Sequence, residues 1–165
     1  MRQVVLGLGG NVGNVVETLK ASLVLIDTQI GKIDLKSNLY KTQAWGEEDQ
    51  PDFLNMVISC NTSLMPEQVL ENCLIIEKQL GRNRIGVKKW RERLIDVDVL
   101  FYDDVIINTI DLILPHPYLH QRNFVLYPLT EILPNLIHPK FNKTMLQLKL
   151  EVKDNQLVSL LKHKI

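Results

Sequence analysis

Cysteine is scarce in this chain of 165 residues: there are two, Cys60 and Cys73, without the C-x-x-C spacing of a metal or redox motif. Cys60 lies in a strand-like run and Cys73 on the apolar stripe of a helix, so both read as small core residues. No apolar run reaches the ~18–20 residues that a membrane span requires. Met1 to Leu8 is a short apolar strand followed at once by glycines, which is not a signal-peptide pattern. Excess charge is absent too: 19 lysines and arginines balance 19 aspartates and glutamates. Bulk electrostatics therefore favour neither a nucleic acid nor an anionic membrane as partner. No internal repeat, linker or low-complexity segment breaks the chain. The expectation is a soluble, cytoplasmic protein, 1–165 forming one domain large enough to bury a core without staples.

The positive charge is instead concentrated locally. Arg82, Arg84, Lys88, Lys89, Arg91 and Arg93 all fall within one loop. A strand follows it, with Ile95, Val97, Val99 and Phe101 alternating against Asp96, Asp98, Leu100 and Tyr102. Alternate strand positions share a face, so the carboxylates of Asp96 and Asp98 stand side by side. At about 7 Å and an effective dielectric near 20, two like charges repel by roughly 2 kcal/mol. Arginine or lysine from the loop can compensate them, and so can a hard divalent cation. Mg²⁺ is typically held by one or two carboxylates and completed by water and phosphates. A cationic loop suits the second case, because a metal-bound polyphosphate needs further positive charge.

In chain order, Gln3 to Leu8 reads as a buried first strand ended by Gly9-Gly10-Asn11. The glycines lack the G-x-G-x-x-G spacing and a following Lys-Ser/Thr, so they read as a tight strand-to-helix turn. Asn14 caps a helix whose stripe is Val16, Leu19, Leu23, Ile26 and Ile30, stopped by Gly31. Ile33 to Thr42 reads as a second strand, and Gln43 to Asp52 as a loop long enough to be functional, with Trp45 either covering the core edge or touching a ligand.

Phe53 to Thr62 is a third strand. Leu54, Met56, Ile58 and Cys60 form its apolar face, with Phe53, Asn55, Val57 and Ser59 opposite. A buried Asn55 needs partners for its amide, from the backbone or from a flat heterocycle. Pro66 opens a second helix, with Val69, Cys73, Ile76 and Leu80 as its stripe and Gly81 as its stop. Glu77 near its C-terminal end is disfavoured by the helix dipole; a nearby cation can hold it or a ligand hydroxyl can use it, while spacing alone favours a solvated face residue. Beyond the aspartate strand, Val105–Ile107 and Leu112–Leu114 read as a hairpin, and Pro115-His116-Pro117 fixes a histidine at a strand end. A helical pattern from Arg122 and Phe124 to Leu133 is interrupted by Pro128. A short helix near Met145 and an ill-defined tail close the chain.

The order β-α-β-β-α-β plus an extension predicts an α+β fold: a ferredoxin-like core with an antiparallel sheet, helices on one face and a C-terminal hairpin/helix extension. Its second sheet face is left open for Asp96, Asp98, Phe53 and Asn55 to share.

Four separated motifs then match a known family. They are Arg93-Leu94-Ile95-Asp96-Val97-Asp98-Val99-Leu100; Glu77 with Gly81-Arg82-x-Arg84; Asp49-Gln50-Pro51-Asp52-Phe53-Leu54-Asn55; and Pro115-His116-Pro117 with Arg122-Asn123-Phe124. Over nearly its whole length the chain resembles the 6-hydroxymethyl-7,8-dihydropterin pyrophosphokinases of folate biosynthesis. The resemblance implies transfer of the β,γ-pyrophosphoryl group of ATP to the pterin hydroxymethyl oxygen, releasing AMP. It gives Asp96 and Asp98 two Mg²⁺ ions, and makes Arg82 and Arg93 the catalytic arginines that engage the phosphates. It sets Glu77, Arg84, His116 and Arg122 on the nucleotide side and Trp90 over the closed site. Thr42, Phe53, Asn55 and Phe124 then form the pterin pocket. The implied protein is a monomer with two small-molecule substrates and no nucleic-acid or membrane partner.

The chain departs from the family pattern at Arg91-Glu92, where Gly-Pro is usual, at Gly10, where serine is usual, and at Ala44, where proline is common. Two rival readings remain. A metal-dependent phosphoesterase would use the same aspartates, but commonly recruits further ligands. An RNA-binding module would stack bases on strand aromatics, but the face carrying Asp96 and Asp98 would repel phosphate without metal.

Overall fold

The computed structural model describes residues 1–43, 51–81 and 94–161. Arg82, Arg84, Trp90, Arg91, Glu92 and Arg93, together with Ala44 and Trp45, lie outside the described residues.

The first elements are β1 (Arg2–Gly10), α1 (Val15–Gln29), β2 (Lys32–Lys36), β3 (Leu39–Thr42), β4 (Phe53–Thr62), α2 (Pro66–Gln79) and β5 (Asp96–Tyr102). Two short strands follow, β6 (Ile107–Asn108) and β7 (Ile113–Leu114), and then a 3-10 turn, Leu119–Gln121. The chain ends with α3 (Asn123–Ile132), β8 (Ile137–His138), β9 (Lys143–Thr144), α4 (Met145–Glu151) and β10 (Val158–Leu161). The main sheet runs β10-β3-β4-β1-β5, with β2 also paired to β4, and every pairing is antiparallel. With β2 and β3 counted as one broken strand, the core is the expected ferredoxin-like arrangement.

Local chemistry explains the elements. Asn14 caps α1 by accepting the Glu17 amide at 3.3 Å. Pro66 opens α2, and Gly81, at φ 92°, takes the left-handed conformation that ends it. Val4, Leu6 and Leu8 alternate down β1 and meet Leu19, Ile26, Val69, Cys73 and Ile76 of the two helices in one buried cluster. Both cysteines sit there, fully buried and free.

Five details differ from the periodicity-based expectation. The second strand is broken. Ser37 supplies the ladder at the break, its amide donating to Val57 O at 2.9 Å and its Oγ accepting the Val57 amide at 3.0 Å. The alternation of β5 fails near its end. Leu6 pairs with Val99 but Val5 with Phe101, leaving Leu100 as an extra bulge residue. Val99 and Tyr102 therefore pack with the helix-side core, whereas Leu100 and Phe101 join the opposite cluster. Pro128 does not interrupt α3, which continues through it. The tail is not ill-defined: β10 pairs with β3, from Val158 opposite Thr42 to Leu161 opposite Leu39. Finally, the extension covers part of the second sheet face. Leu126 and Leu129 of α3 and Leu148 of α4 pack with Val5, Val57, Leu100 and Phe101.

Candidate active site

The second sheet face is thus divided. One end is apolar and covered by the extension; the other is polar and centred on Gly9. In register, Gly9 pairs with Asn55 of β4 on one side and Asp96 of β5 on the other, and the next pair along, Gly7, faces Asp98. The middle strand carries no side chain at these two positions. A Cβ at Gly9 would meet Asn55 Oδ1 at 2.7 Å, closer than side chains pack. The result is a backbone floor with an amide on one flank and two carboxylates on the other. Sequence reasoning missed this role, because Gly9 was taken as part of a turn. The usable signal was the period-two spacing of Gly7 and Gly9.

Asn55 is 7% exposed and donates from Nδ2 to Thr42 Oγ1 at 3.0 Å, so the two predicted pterin-side polar residues are joined. Asn11, just past β1, donates to Pro51 O at 3.1 Å and ties the residues just before β4 to the floor. Lys41 and Asp52 form an ion pair at 2.7 Å beside it. Phe53 opens β4 on the Asn55 face and is half-buried; Phe124, also half-buried, lies in the first turn of α3, which packs on that face.

Asp96 and Asp98 are half-buried on β5. Among the described residues no third histidine, cysteine, aspartate or glutamate completes a metal cluster with them. Two half-buried hard oxygen donors suit Mg²⁺, which is typically held by one or two carboxylates and completed by water and phosphate. They do not suit a closed structural zinc site.

The β5 bulge also serves this end of the face. Its Leu100 carbonyl accepts the His116 amide at 2.9 Å, which brings the Pro-His-Pro element beside the aspartates. Burial, then the positive charge of Arg122, pulls the His116 pKa down to about 4, with Asp96 opposing more weakly. His116 Nδ1 accepts the Tyr118 amide at 3.2 Å, so the neutral ring carries its proton on Nε2 as a donor. Arg122 lies over the rings of Tyr118 and Phe124, at 5.2 and 5.6 Å from their centroids.

Glu77 corrects the expectation from spacing. It is not solvated but 2% exposed, and its Oε1 accepts the Val97 amide at 2.9 Å, linking α2 to β5 between the two aspartates. The helix dipole argument identified the anomaly; the strand amide that resolves it is remote in sequence. The structure thus brings Thr42, Asn55, Asp96, Asp98, His116, Arg122 and Phe124 to one side of the molecule. Arg82, Arg84 and Arg93 fall outside the described residues.

A ferredoxin-like antiparallel sheet with α1 and α2 on one face, and with a carboxylate pair and an amide flanking one strand of the other, defines the class: an α+β protein of the ferredoxin-like type. Comparison with known proteins narrows it. Residues 5–134 match the family model described as 7,8-dihydro-6-hydroxymethylpterin-pyrophosphokinase (HPPK). The 2-amino-4-hydroxy-6-hydroxymethyldihydropteridine pyrophosphokinase of Aquifex aeolicus is 40% identical over 151 residues, 92% of each chain. That of Synechocystis is 37% identical over 145 residues, 87% of this chain and 73% of its own. In three dimensions the chain is similar to a Plasmodium falciparum HPPK-DHPS triple mutant with SDX-DHP. The TM-score is 0.74 at 19% identity, over 91% of this chain and 44% of that longer one, a likeness of fold alone. The chain belongs to the 7,8-dihydro-6-hydroxymethylpterin-pyrophosphokinase family.

Proposed function

We propose that this protein transfers the β,γ-pyrophosphoryl group of ATP to the hydroxymethyl oxygen of 6-hydroxymethyl-7,8-dihydropterin, a step of folate biosynthesis. The family membership supports the reaction. The single structural observation that carries it is the register across β4, β1 and β5, which sets Asn55 and the Asp96–Asp98 pair on either flank of a side-chain-free strand. A planar heterocycle held at Asn55 would point its substituent toward the carboxylates.

The pterin lies on the Gly9 side, between Phe53 and Phe124, with Asn55 and Thr42 reading its edge. The triphosphate lies on the Asp96, His116 and Arg122 side. Neutral His116 donates Nε2–H to a phosphate oxygen, and Arg122 adds fixed positive charge. Glu77 holds β5 in place and stands on the nucleotide side. Arg82, Arg84 and Arg93, which precede β5 in sequence, take the role of engaging the phosphates, and Trp90 that of closing the site. Asp96 and Asp98 would hold two Mg²⁺ ions, which would supply neutralising charge for the triphosphate.

The reaction forms a bond from the hydroxymethyl oxygen to the β-phosphorus and breaks the bond from that phosphorus to the α,β-bridging oxygen. AMP leaves with the bridging oxygen, and the hydroxyl proton goes to solvent. Such a transfer needs positioning and stabilisation of spread negative charge rather than a side-chain nucleophile. The reading is completed by a cytoplasmic location and a monomer acting on two small-molecule substrates; light scattering at assay concentration checks the monomer.

Product analysis tests the reading. ATP, Mg²⁺ and the reduced pterin should yield AMP and pterin diphosphate in equal amounts, and chelation should stop both. Release of ADP or phosphate without pterin would favour the phosphoesterase instead. Salt-sensitive RNA binding in chelator, with no turnover, would favour the RNA module.

A further inference from the structure

The C-terminal segment after α4 reaches both walls of the pterin side. Asp154 accepts the Asn123 amide at Oδ2, 2.7 Å, and the Gln156 amide at Oδ1, 2.9 Å. The Asn123 side chain, 8% exposed, donates from Nδ2 to Asp154 O at 2.7 Å and Gln156 O at 3.3 Å. Gln156 then donates from Nε2 to Gln43 O at 2.8 Å, 113 residues away in sequence. Two residues on, Val158 starts β10 directly opposite Thr42.

The contacts are specific in what they join. Asn123 sits between Arg122 and Phe124 at the start of α3, and Gln43 follows Thr42, the hydrogen-bond partner of Asn55. No other element among the described residues hydrogen-bonds both the start of α3 and the end of β3 through side chains. Farther along α3, Glu131 accepts from Tyr40 Oη of β3 at 2.9 Å and from Asn38; one carboxylate and one amide add the tie at the other end, between the ring-bearing start of α3 and the residue that follows Thr42.

We propose that Asp154 and Gln156 form a strap that positions the two walls of the pterin site, making them positioning residues for the pterin rather than for ATP. This rests on the pyrophosphokinase reading above. Neither side chain touches substrate. Without the strap, Glu131 still joins α3 to Tyr40, but the start of α3 is no longer tied to the end of β3, so the substrate spends binding energy on ordering that end of the walls.

The test uses the full chain carrying Asp154→Ala, Gln156→Ala, Gln156→Glu or Asp154→Asn, with both KM values, kcat and the thermal midpoint measured for each. Gln156→Glu keeps the side chain's size but turns its donor into an acceptor facing Gln43 O. The alanine and glutamate variants should raise the pterin KM about five- to tenfold while the ATP KM stays within about twofold, the scale of one or two lost hydrogen bonds expressed on one substrate. Asp154→Asn, which keeps one acceptor oxygen, should recover part of the loss. A merely structural role predicts that both KM values move together, or that neither moves while the midpoint falls; either result overturns the strap. If wild type forms AMP and the variants show no pterin-specific loss, the strap alone fails. If wild type forms no pterin-dependent AMP, the pyrophosphokinase reading fails and the strap with it.

Discussion

Gly9 leaves β1 without a side chain beside the Asn55 amide. Any β-carbon there would press on Asn55 Oδ1 at 2.7 Å, and Asn55 is held on its other side by Thr42. Gly9→Ala should displace the amide and weaken pterin binding roughly tenfold, the worth of one well-placed hydrogen bond. Overpacking should add a stability cost of about 1–3 kcal/mol. Pterin titration followed by fluorescence, beside thermal unfolding, separates the two effects. At this scale the sequence was most informative where a residue contradicts its surroundings. Two aspartates in an apolar strand and an asparagine amid hydrophobics were visible as anomalies. Glu77 was visible as an anomaly of position, but not of burial, because its partner is the Val97 amide on a different element.

Among the elements, β2 and β3 are one strand in pattern and two in structure. The join depends on Ser37, whose buried hydroxyl replaces a missing ladder acceptor for Val57. Ser37→Ala should leave that amide unsatisfied at a cost of about 1–3 kcal/mol. For a chain of this size that lowers the melting midpoint by about 2–4 °C per kcal/mol, measurable by calorimetry. Periodicity predicted helices well, because α1 and α2 each bury one stripe against a single sheet. It predicted strand ends poorly. The bulge at Leu100 moves Phe101 and Tyr102 each to the face opposite the one that strict alternation assigns, and alternation alone carries no record of an inserted residue. The strand β10 was invisible for a related reason: its pattern is short, and its partner residues on β3 lie 116 or more residues earlier.

For the whole molecule, the buried histidines set a pH dependence. Burial depresses His116 and His138 to about 4, with Arg122 reinforcing the first, and His120 then Lys140 the second. His138 packs against Phe101, His120 and Phe141, a mainly aromatic cluster that disfavours the charged form. The unfolded chain binds these protons near pH 6.5, whereas the folded chain waits until about 4. Stability from both groups is therefore fully present above about pH 6.5 and is lost as pH falls toward 4. Midpoints measured across that window should fall with pH, and His138→Phe should flatten the slope. An unchanged slope in that variant would mean the cluster does not hold His138 neutral. The same whole-molecule view explains why the site is assembled from distant segments. β1, β4 and β5 are neighbours only in the sheet, so no local window shows Asn55, Gly9 and Asp96 as a row.

The most direct test of that row is AMP formation by wild type and by Asp96→Asn, each with ATP and Mg²⁺, with and without the reduced pterin. Wild type should release AMP only when pterin is present. Asp96→Asn should fold normally, with like-charge repulsion on β5 relieved, and lose about 10³-fold or more of that activity, the equivalent of several kcal/mol. Pterin-dependent AMP release at an undiminished rate from Asp96→Asn would contradict the assignment of the carboxylate pair to the metal-bound triphosphate.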